Sequence, residues 1–299
     1  MDRIGFIGLG NMGRHMSANQ LKGQRKVAAY DLSPAARARA AEAGCEAAAS
    51  VADCVREADA VITMLPAGPH VRQVVTEEVL PHVRPGTLLV DCSTIDVETA
   101  RDLSEICAAN GLRYADAPVS GGMMGAEAAT LTFMVGCRDD ETFAAVEEAV
   151  RPMGKAVIRA GGPGADQAAK ICNNMLLGIS MLGTCEAFAL AEKLGLDWQR
   201  FYDIASKSSG QCWSVTTNCP IPGPVPNSPA NHGYAAGFAT AMILKDLKLA
   251  QACAASAGAS TPMGAQAEGL FALFDSLGYG DKDFSAVIHL IRGKLAELA

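Results

Sequence analysis

Near its N-terminal end the chain reads Ile4-Gly-Phe-Ile7 and then Gly8-Leu-Gly10-Asn-Met-Gly13, leading into a helical stretch over 12–21. Few architectures accept three glycines at that spacing between a strand and a helix. The first permits a tight turn, the second lets a bound group approach the backbone, and the third lets the helix lie close against the strand. Asp31 ends the next strand-like run, 26–30, about twenty residues on, where a carboxylate can accept both hydroxyls of a ribose. Glycines serving packing alone would leave the same spacing. The strand before, the helix after and the acid beyond favour a dinucleotide, with its pyrophosphate at the helix N-terminus. A 2′-phosphate would be repelled by Asp31 and no arginine directly follows it, so NAD is expected rather than NADP.

The first half repeats this alternation. Residues 4–7, 26–30, 60–64, 87–90 and 131–135 suit buried strands, and alanine-rich helical segments at 34–43, 50–57 and 97–109 lie between them. Such alternation implies right-handed crossovers and a parallel, doubly wound sheet. After Gly161-Gly-Pro-Gly164 the pattern changes. Residues 165–194 carry sustained helical character, apolar on nearly every side, which predicts a helix buried all round between domains or subunits. Further helices are expected at 197–206, 240–257, 262–277 and 284–298, while Pro220, Pro222, Pro224, Pro226 and Pro229 mark an ordered loop. The expected fold class is α/β: an N-terminal Rossmann doubly wound parallel sheet over 1–162, followed by an all-α C-terminal domain over 163–299.

Composition narrows the partners. With 49% apolar and 19% charged residues the chain is globular rather than disordered. Its net charge of −7 is dispersed, with no run of lysine or arginine, so neither nucleic acid nor an anionic membrane is expected. No signal peptide is read before the first strand, and no apolar run is read as reaching the ~20 residues that a span needs. Ten cysteines are scattered without any C-x-x-C, which predicts reduced core thiols and a cytoplasmic location. The five histidines do not cluster with cysteines or carboxylates, so no metal is expected.

The chemistry is carried by Gly164-Ala-Asp-Gln-Ala-Ala-Lys170-Ile-Cys-Asn173-Asn174. Lys170 and Asn174 are four apart and share a helix face, with Asn173 beside them. An ammonium on so apolar a helix needs a reason, and desolvation would lower its pKa toward what proton transfer near neutrality requires. A snorkelling lysine or a structural salt bridge is the bland alternative, against which the two asparagines weigh. Upstream, Ser120-Gly121-Gly122 supplies a hydroxyl and a backbone free to turn its amides toward an anion, or else a plain structural turn. The loops Met64-Leu65-Pro66-Ala-Gly68 and Asp91-Cys-Ser93-Thr94-Ile95 follow strands at the carboxyl ends, where such sheets bind ligands. Either is equally an ordinary turn. Lys245-Asp246 is expected to be a solvated pair.

Taken in order, these residues resemble the β-hydroxyacid dehydrogenases along essentially the whole chain. Ser208-Ser-Gly210 with Trp213, the proline-rich loop, residues 234–238 and Asp283-Phe-Ser285 resemble the 3-hydroxyisobutyrate branch more than the tartronate-semialdehyde or succinic-semialdehyde branches. The resemblance implies that Lys170 is the acid/base for a primary hydroxyl losing hydride to nicotinamide, with Asn174 holding the substrate. It implies that Ser120, Gly121 and Gly122 grip a substrate carboxylate, while Trp213, Phe238 and Asp246 close the pocket. Gly8, Leu9, Gly10, Asn11, Met12, Asp31, Leu65, Pro66, His70, Thr94 and Lys245 would contact NAD. A homodimer or homotetramer, and a place in valine breakdown, are further implications. Departures lie off this chemistry: the turn 21–26 is short and basic, 74–79 lacks a customary glycine, and Cys137 stands where glycine is common. A non-catalytic dinucleotide-binding module is the rival of another class, and imine reduction a rival chemistry; each usually lacks the lysine.

Overall fold

A computed structural model describes residues 1–298. The chain forms two compact units, Met1–Lys170 and the part from Ile171 onward.

The first unit is built on a nine-stranded sheet. Its strands are β1 (Arg3–Ile7), β2 (Lys26–Tyr30), β3 (Glu46–Ala47), β4 (Ala60–Thr63), β5 (Leu88–Asp91), β6 (Arg113–Asp116), β7 (Val119–Ser120), β8 (Leu131–Cys137) and β9 (Gly154–Gly161). Their order is β3-β2-β1-β4-β5-β6-β8-β7, with β9 beside β8. The helices are α1 (Gly13–Lys22), α2 (Pro34–Glu42), α3 (Val51–Val55), α4 (Gly68–Gln73), α5 (Val97–Ala109), α6 (Gly122–Glu127), α7 (Asp140–Val150) and the first turns of α8 (Ala165–Lys193). Alternate residues of each central strand enter opposite cores, because side chains on a strand alternate in direction. Phe6, Ala29, Ile62 and Val90 face one core, and Ile7, Ala28, Val61 and Leu89 the other. Both faces are covered, as a parallel sheet requires.

The sheet is doubly wound, but its far edge is mixed: β8 runs antiparallel to β6 and β7. Strands β3, β6, β7 and β9 were not expected from sequence. The first and third have two residues each, and β9 is largely exposed, so neither length nor apolar periodicity marks them.

The second unit is helical: most of α8, then α9 (Trp198–Ala205), α10 (Trp213–Thr216), α11 (Thr240–Ala257), α12 (Pro262–Phe274) and α13 (Ile288–Ile291). Its core gathers Met181, Phe188, Ile243, Leu247, Phe271, Phe274 and Phe284, all fully buried. The helix expected over 262–277 ends its α-form at Phe274, and Gly278 beyond it has φ +94°. The helix expected over 284–298 is instead three short turns, Phe284–Val287, Ile288–Ile291 and Leu295–Leu298, with Gly293 at φ +67° between the last two. Glycine at positive φ breaks the continuity that apolar spacing suggested.

Helix α8 bears on two expectations. Within the single chain it is not covered on every side, so burial all round would need a second copy. Ala169, Cys172, Asn173, Leu176, Gly183, Glu186 and Leu190 form an exposed stripe at three- and four-residue spacing. It is also, by length and composition, apolar enough to cross a membrane, contrary to the expectation that no run is long enough. Met181, Cys185 and Phe188 on its other face are nevertheless fully buried in protein core.

Candidate active site

The cofactor fingerprint sits where the strand order reverses, between β1 and β4, the usual ligand crevice of such sheets. Gly8 adopts φ +96°, and a Cβ there would run into the Met64 carbonyl; one on Gly13 would run into the Gly8 carbonyl. A Cβ on Gly10 would meet nothing within 4 Å. The outer two glycines are therefore demanded by packing, and the middle one leaves open space at the head of α1. Asp31 accepts from the Leu9 amide at 2.7 Å through one oxygen and from the Ser33 amide at 2.8 Å through the other. Asn11, Met12 and His70 stand on the same unit at least partly accessible.

The loops after β4 and β5 are tied together by a buried carboxylate. Thr63 Oγ1 and Ser93 Oγ donate to Asp91 Oδ1 at 2.7 and 2.6 Å, and Ser93 Oγ accepts from the Leu65 amide at 2.8 Å. Burial pushes Asp91 up to about 6, against the pull of those donors. This relay holds Leu65 and Pro66 alongside the segment bearing Thr94. Gln167, in the first turn of α8, accepts from the Ile95 amide at 3.1 Å and donates to the Ser93 carbonyl at 3.0 Å. One turn further on, Lys170 is 8% exposed. The helix bearing the lysine thus starts at the carboxyl ends of β5 and β6, within the unit that holds the fingerprint. Ser120 is half-buried, and Gly121 and Gly122 take φ +136° and +62°, backbone that a side chain would strain.

In the second unit, Asn174 Nδ2 donates to Asp246 Oδ2 at 2.5 Å, and Asn173 Nδ2 donates to Asn174 Oδ1 at 3.0 Å. Lys245 Nζ lies 3.6 Å from Asp246 Oδ1. The pair expected to be solvated is not: Asp246 is 2% exposed and couples α11 to α8 through Asn174. Phe238 is half-buried and its amide donates to Asp283 Oδ2 at 3.0 Å, whereas Trp213 is 49% exposed. Fully buried Asp283 also accepts from Gly237, Ser285 and Asn218. Sequence marked Asp91 and Gln167 only inside their motifs, with no role of their own, and did not single out Arg37, because what each side chain reaches is fixed by contacts distant in the chain or by the fold of a loop.

Sequence comparison then identifies the kind of protein. A profile described as the NAD-binding domain of 6-phosphogluconate dehydrogenase matches residues 3–162, and one described as NAD-binding of NADP-dependent 3-hydroxyisobutyrate dehydrogenase matches 164–291. The 3-hydroxyisobutyrate dehydrogenase of Pseudomonas aeruginosa is 46% identical over 298 residues, covering 98% of this chain and 100% of its own. This chain belongs to the 3-hydroxyisobutyrate dehydrogenase family. A solved structure of the Mycobacterium tuberculosis 3-hydroxyisobutyrate dehydrogenase with L-serine superposes with a TM-score of 0.93 at 47% identity, over 98% of this chain and 99% of that one. An NAD-dependent L-serine dehydrogenase of P. aeruginosa is 43% identical over 289 residues, 96% of this chain and 97% of its own. As in the rest of the family, the sheet is an NAD(P)-binding domain and the chain is a dehydrogenase.

The residues present fit such a cofactor, since Gly10 leaves the only gap in the glycine turn just where a pyrophosphate would approach. The surroundings of Asp31 hold a cation that sequence did not single out. Although no arginine directly follows Asp31, Arg37 folds back from α2, donating to the Asp31 carbonyl at 2.6 Å, with its guanidinium 5.5 Å from the Tyr30 ring centre. Its charge lies beside the carboxylate expected to exclude a 2′-phosphate. Asp31→Ala is therefore expected to shift the ratio of kcat/KM for NAD over NADP toward NADP by at least about tenfold, the loss of roughly one close charge interaction. An unchanged ratio would contradict the ribose contact.

Proposed function

We propose that the enzyme oxidises 3-hydroxyisobutyrate to methylmalonate semialdehyde with NAD, in valine breakdown, and that Lys170 is its acid/base. One observation carries the reading: a buried lysine on a helix whose first turn is hydrogen-bonded to the loop after β5, in the unit bearing the fingerprint. When bound, NAD supplies the acceptor for the hydride leaving the carbinol carbon. Lys170 Nζ, uncharged, takes the hydroxyl proton as that hydride departs, leaving the aldehyde. The Ser120 hydroxyl and the amides of Gly121 and Gly122 hold the substrate carboxylate. Asn174, its amide fixed end-for-end by Asp246 and Asn173, orients the hydroxyl, and Trp213 and Phe238 shield the site. Gly8 to Met12, Asp31, Leu65, Pro66, His70, Thr94 and Lys245 hold the cofactor.

A second reading has specific support. L-serine is also a carboxylate bearing a primary carbinol, with an ammonium where 3-hydroxyisobutyrate has a methyl group. It accompanies one relative and is the substrate of another. Tartronate semialdehyde differs at the same carbon, carrying a hydroxyl there, whereas succinic semialdehyde has one more methylene between its aldehyde and its carboxylate. A panel of kcat/KM values for 3-hydroxyisobutyrate, L-serine, glycerate and 4-hydroxybutyrate decides between them. The expected result is a preference for 3-hydroxyisobutyrate over L-serine of about 10-fold or more, the worth of seating a methyl instead of an unpaired charge. A higher value for L-serine would reassign the substrate and leave the chemistry intact.

We further propose a cytoplasmic location, supported by ten free thiols. A functional boundary at 162/163, and a homodimer or homotetramer using the uncovered apolar residues of α8, complete the reading.

A further inference from the structure

Two buried carboxyls near the start of α8 are used by none of these steps. Asp116 ends β6, immediately before the turn that leads to Ser120, and Asp166 lies in the first turn of α8. Both are fully buried. Asp116 Oδ2 accepts from the Gly164 amide at 2.9 Å. Asp116 Oδ1 and both oxygens of Asp166 lack a donor in good hydrogen-bond geometry, with the amides of Asp166 and Gln167 the nearest to Asp166. Gly136 of β8 is the cross-strand partner of Asp116 and packs against Asp166 Oδ1, so the two carboxyls meet at one spot, an acceptor against an acceptor. Buried carboxylates so placed repel unless a proton lies between them. Gly136 makes the room, for a Cβ there would run into Asp166 Oδ1.

We propose that Asp116 and Asp166 share one proton and thereby clasp the first turn of α8 to the end of β6, which sets where Lys170 stands. Lys170 is four residues beyond Asp166 on the same helix face, and Gln167 makes the second attachment, to the loop after β5. The proton belongs to the pair. Burial and then the facing Asp116 push Asp166 up to about 11, and burial raises Asp116 as well, against the pull of Asp166, the Gly164 amide and Arg101. The other titratable groups around the pair are Tyr114 on β6, Asp91 on β5 and Cys137 on β8. Burial raises each of the three, so these three supply no countercharge; the cations of this region are Arg101 on α5 and Lys170 one turn along α8. The lysine's own role enters only the kinetic arm of the test.

Unfolded, Asp166 ionises in the ordinary carboxylate range; folded, it stays protonated to about 11. Between those values the native chain binds one proton more than the unfolded chain, so stability falls as pH rises through the whole window. From pH 6 to 8 the wild type should lose about tenfold more in its folding constant per pH unit than Asp166→Asn, whose N–H replaces the O–H without titrating. Infrared spectra at pH 8 should show a protonated carboxylic C=O stretch in the wild type that Asp166→Asn lacks. Asp166→Asn should keep most of the wild-type kcat, whereas Asp166→Ala should lower kcat by about tenfold or more, the cost of a slightly misplaced base, with NADH affinity within about twofold. An Asn variant with the wild-type pH slope and an unchanged infrared band would overturn the shared proton. An Asn variant as slow as the Ala variant, or an Ala variant as fast as wild type, would overturn the clasp. Should Asp166→Ala fail to fold, the Asn variant alone decides through its slope, band and kcat. A fully active Lys170→Ala enzyme would refute the acid/base reading while leaving the proton measurements standing.

Discussion

Lys170→Ala is expected to lower kcat by about 10²–10⁴-fold, the usual worth of a positioned acid/base. NAD affinity, followed by quenching of protein fluorescence or by calorimetry, should change by less than about twofold, because the fingerprint and Asp31 hold the cofactor without the lysine. Alanine leaves nothing to take the hydroxyl proton, and water in so buried a place is a poor substitute. Lys170→Arg should be nearly as slow, since a guanidinium does not give up its proton near neutrality. Turnover within a few-fold of wild type in the alanine variant would remove Lys170 from the mechanism and send the search to another base.

The second large effect is at the glycine turn. Gly13→Ala places a methyl group into the Gly8 carbonyl, a contact between α1 and the end of β1 that neither element can relieve without moving. Overpacking of this kind costs about 1–3 kcal/mol. We expect the melting temperature to drop by several degrees and NAD affinity to fall by about 100-fold or more, as the amides at the head of α1 lose their aim. Gly10→Ala supplies the contrast. Its methyl meets nothing within 4 Å in the protein, so the melting temperature should hold while NAD binding still falls steeply. Equal loss of stability in both variants would contradict the open space at Gly10, and unchanged NAD binding by Gly10→Ala would mean that the cofactor does not lie there.

Much of this architecture was legible beforehand. The strand at 26–30 and the helix at 97–109 stand where the alternation of apolar and alanine-rich runs put them, and the structure adds that Asp96 caps the latter by accepting from the Thr99 amide. What escaped were elements whose marks are not local. Strand β9 is paired along its length with β8 although half its residues are exposed, so partner strand rather than composition decides its form. The same holds for the site. Lys170 was visible because a cation on an apolar helix is improbable without cause. Asp166, four residues earlier, drew no reading of its own and turned out to be fully buried.

Sequence by itself determined the α/β class, the dinucleotide fingerprint, the acid at the end of β2 and a lysine set on an apolar helix. These depend on spacing along the chain, and spacing is a local property. Only the tertiary structure decided that Arg37 folds back on Asp31, that Asp246 is buried against Asn174, and that Asp116 and Asp166 are both fully buried. Those outcomes depend on burial and on contacts between residues up to 72 positions apart. A charge has its cost fixed by what surrounds it, and its surroundings exist only once the chain has folded.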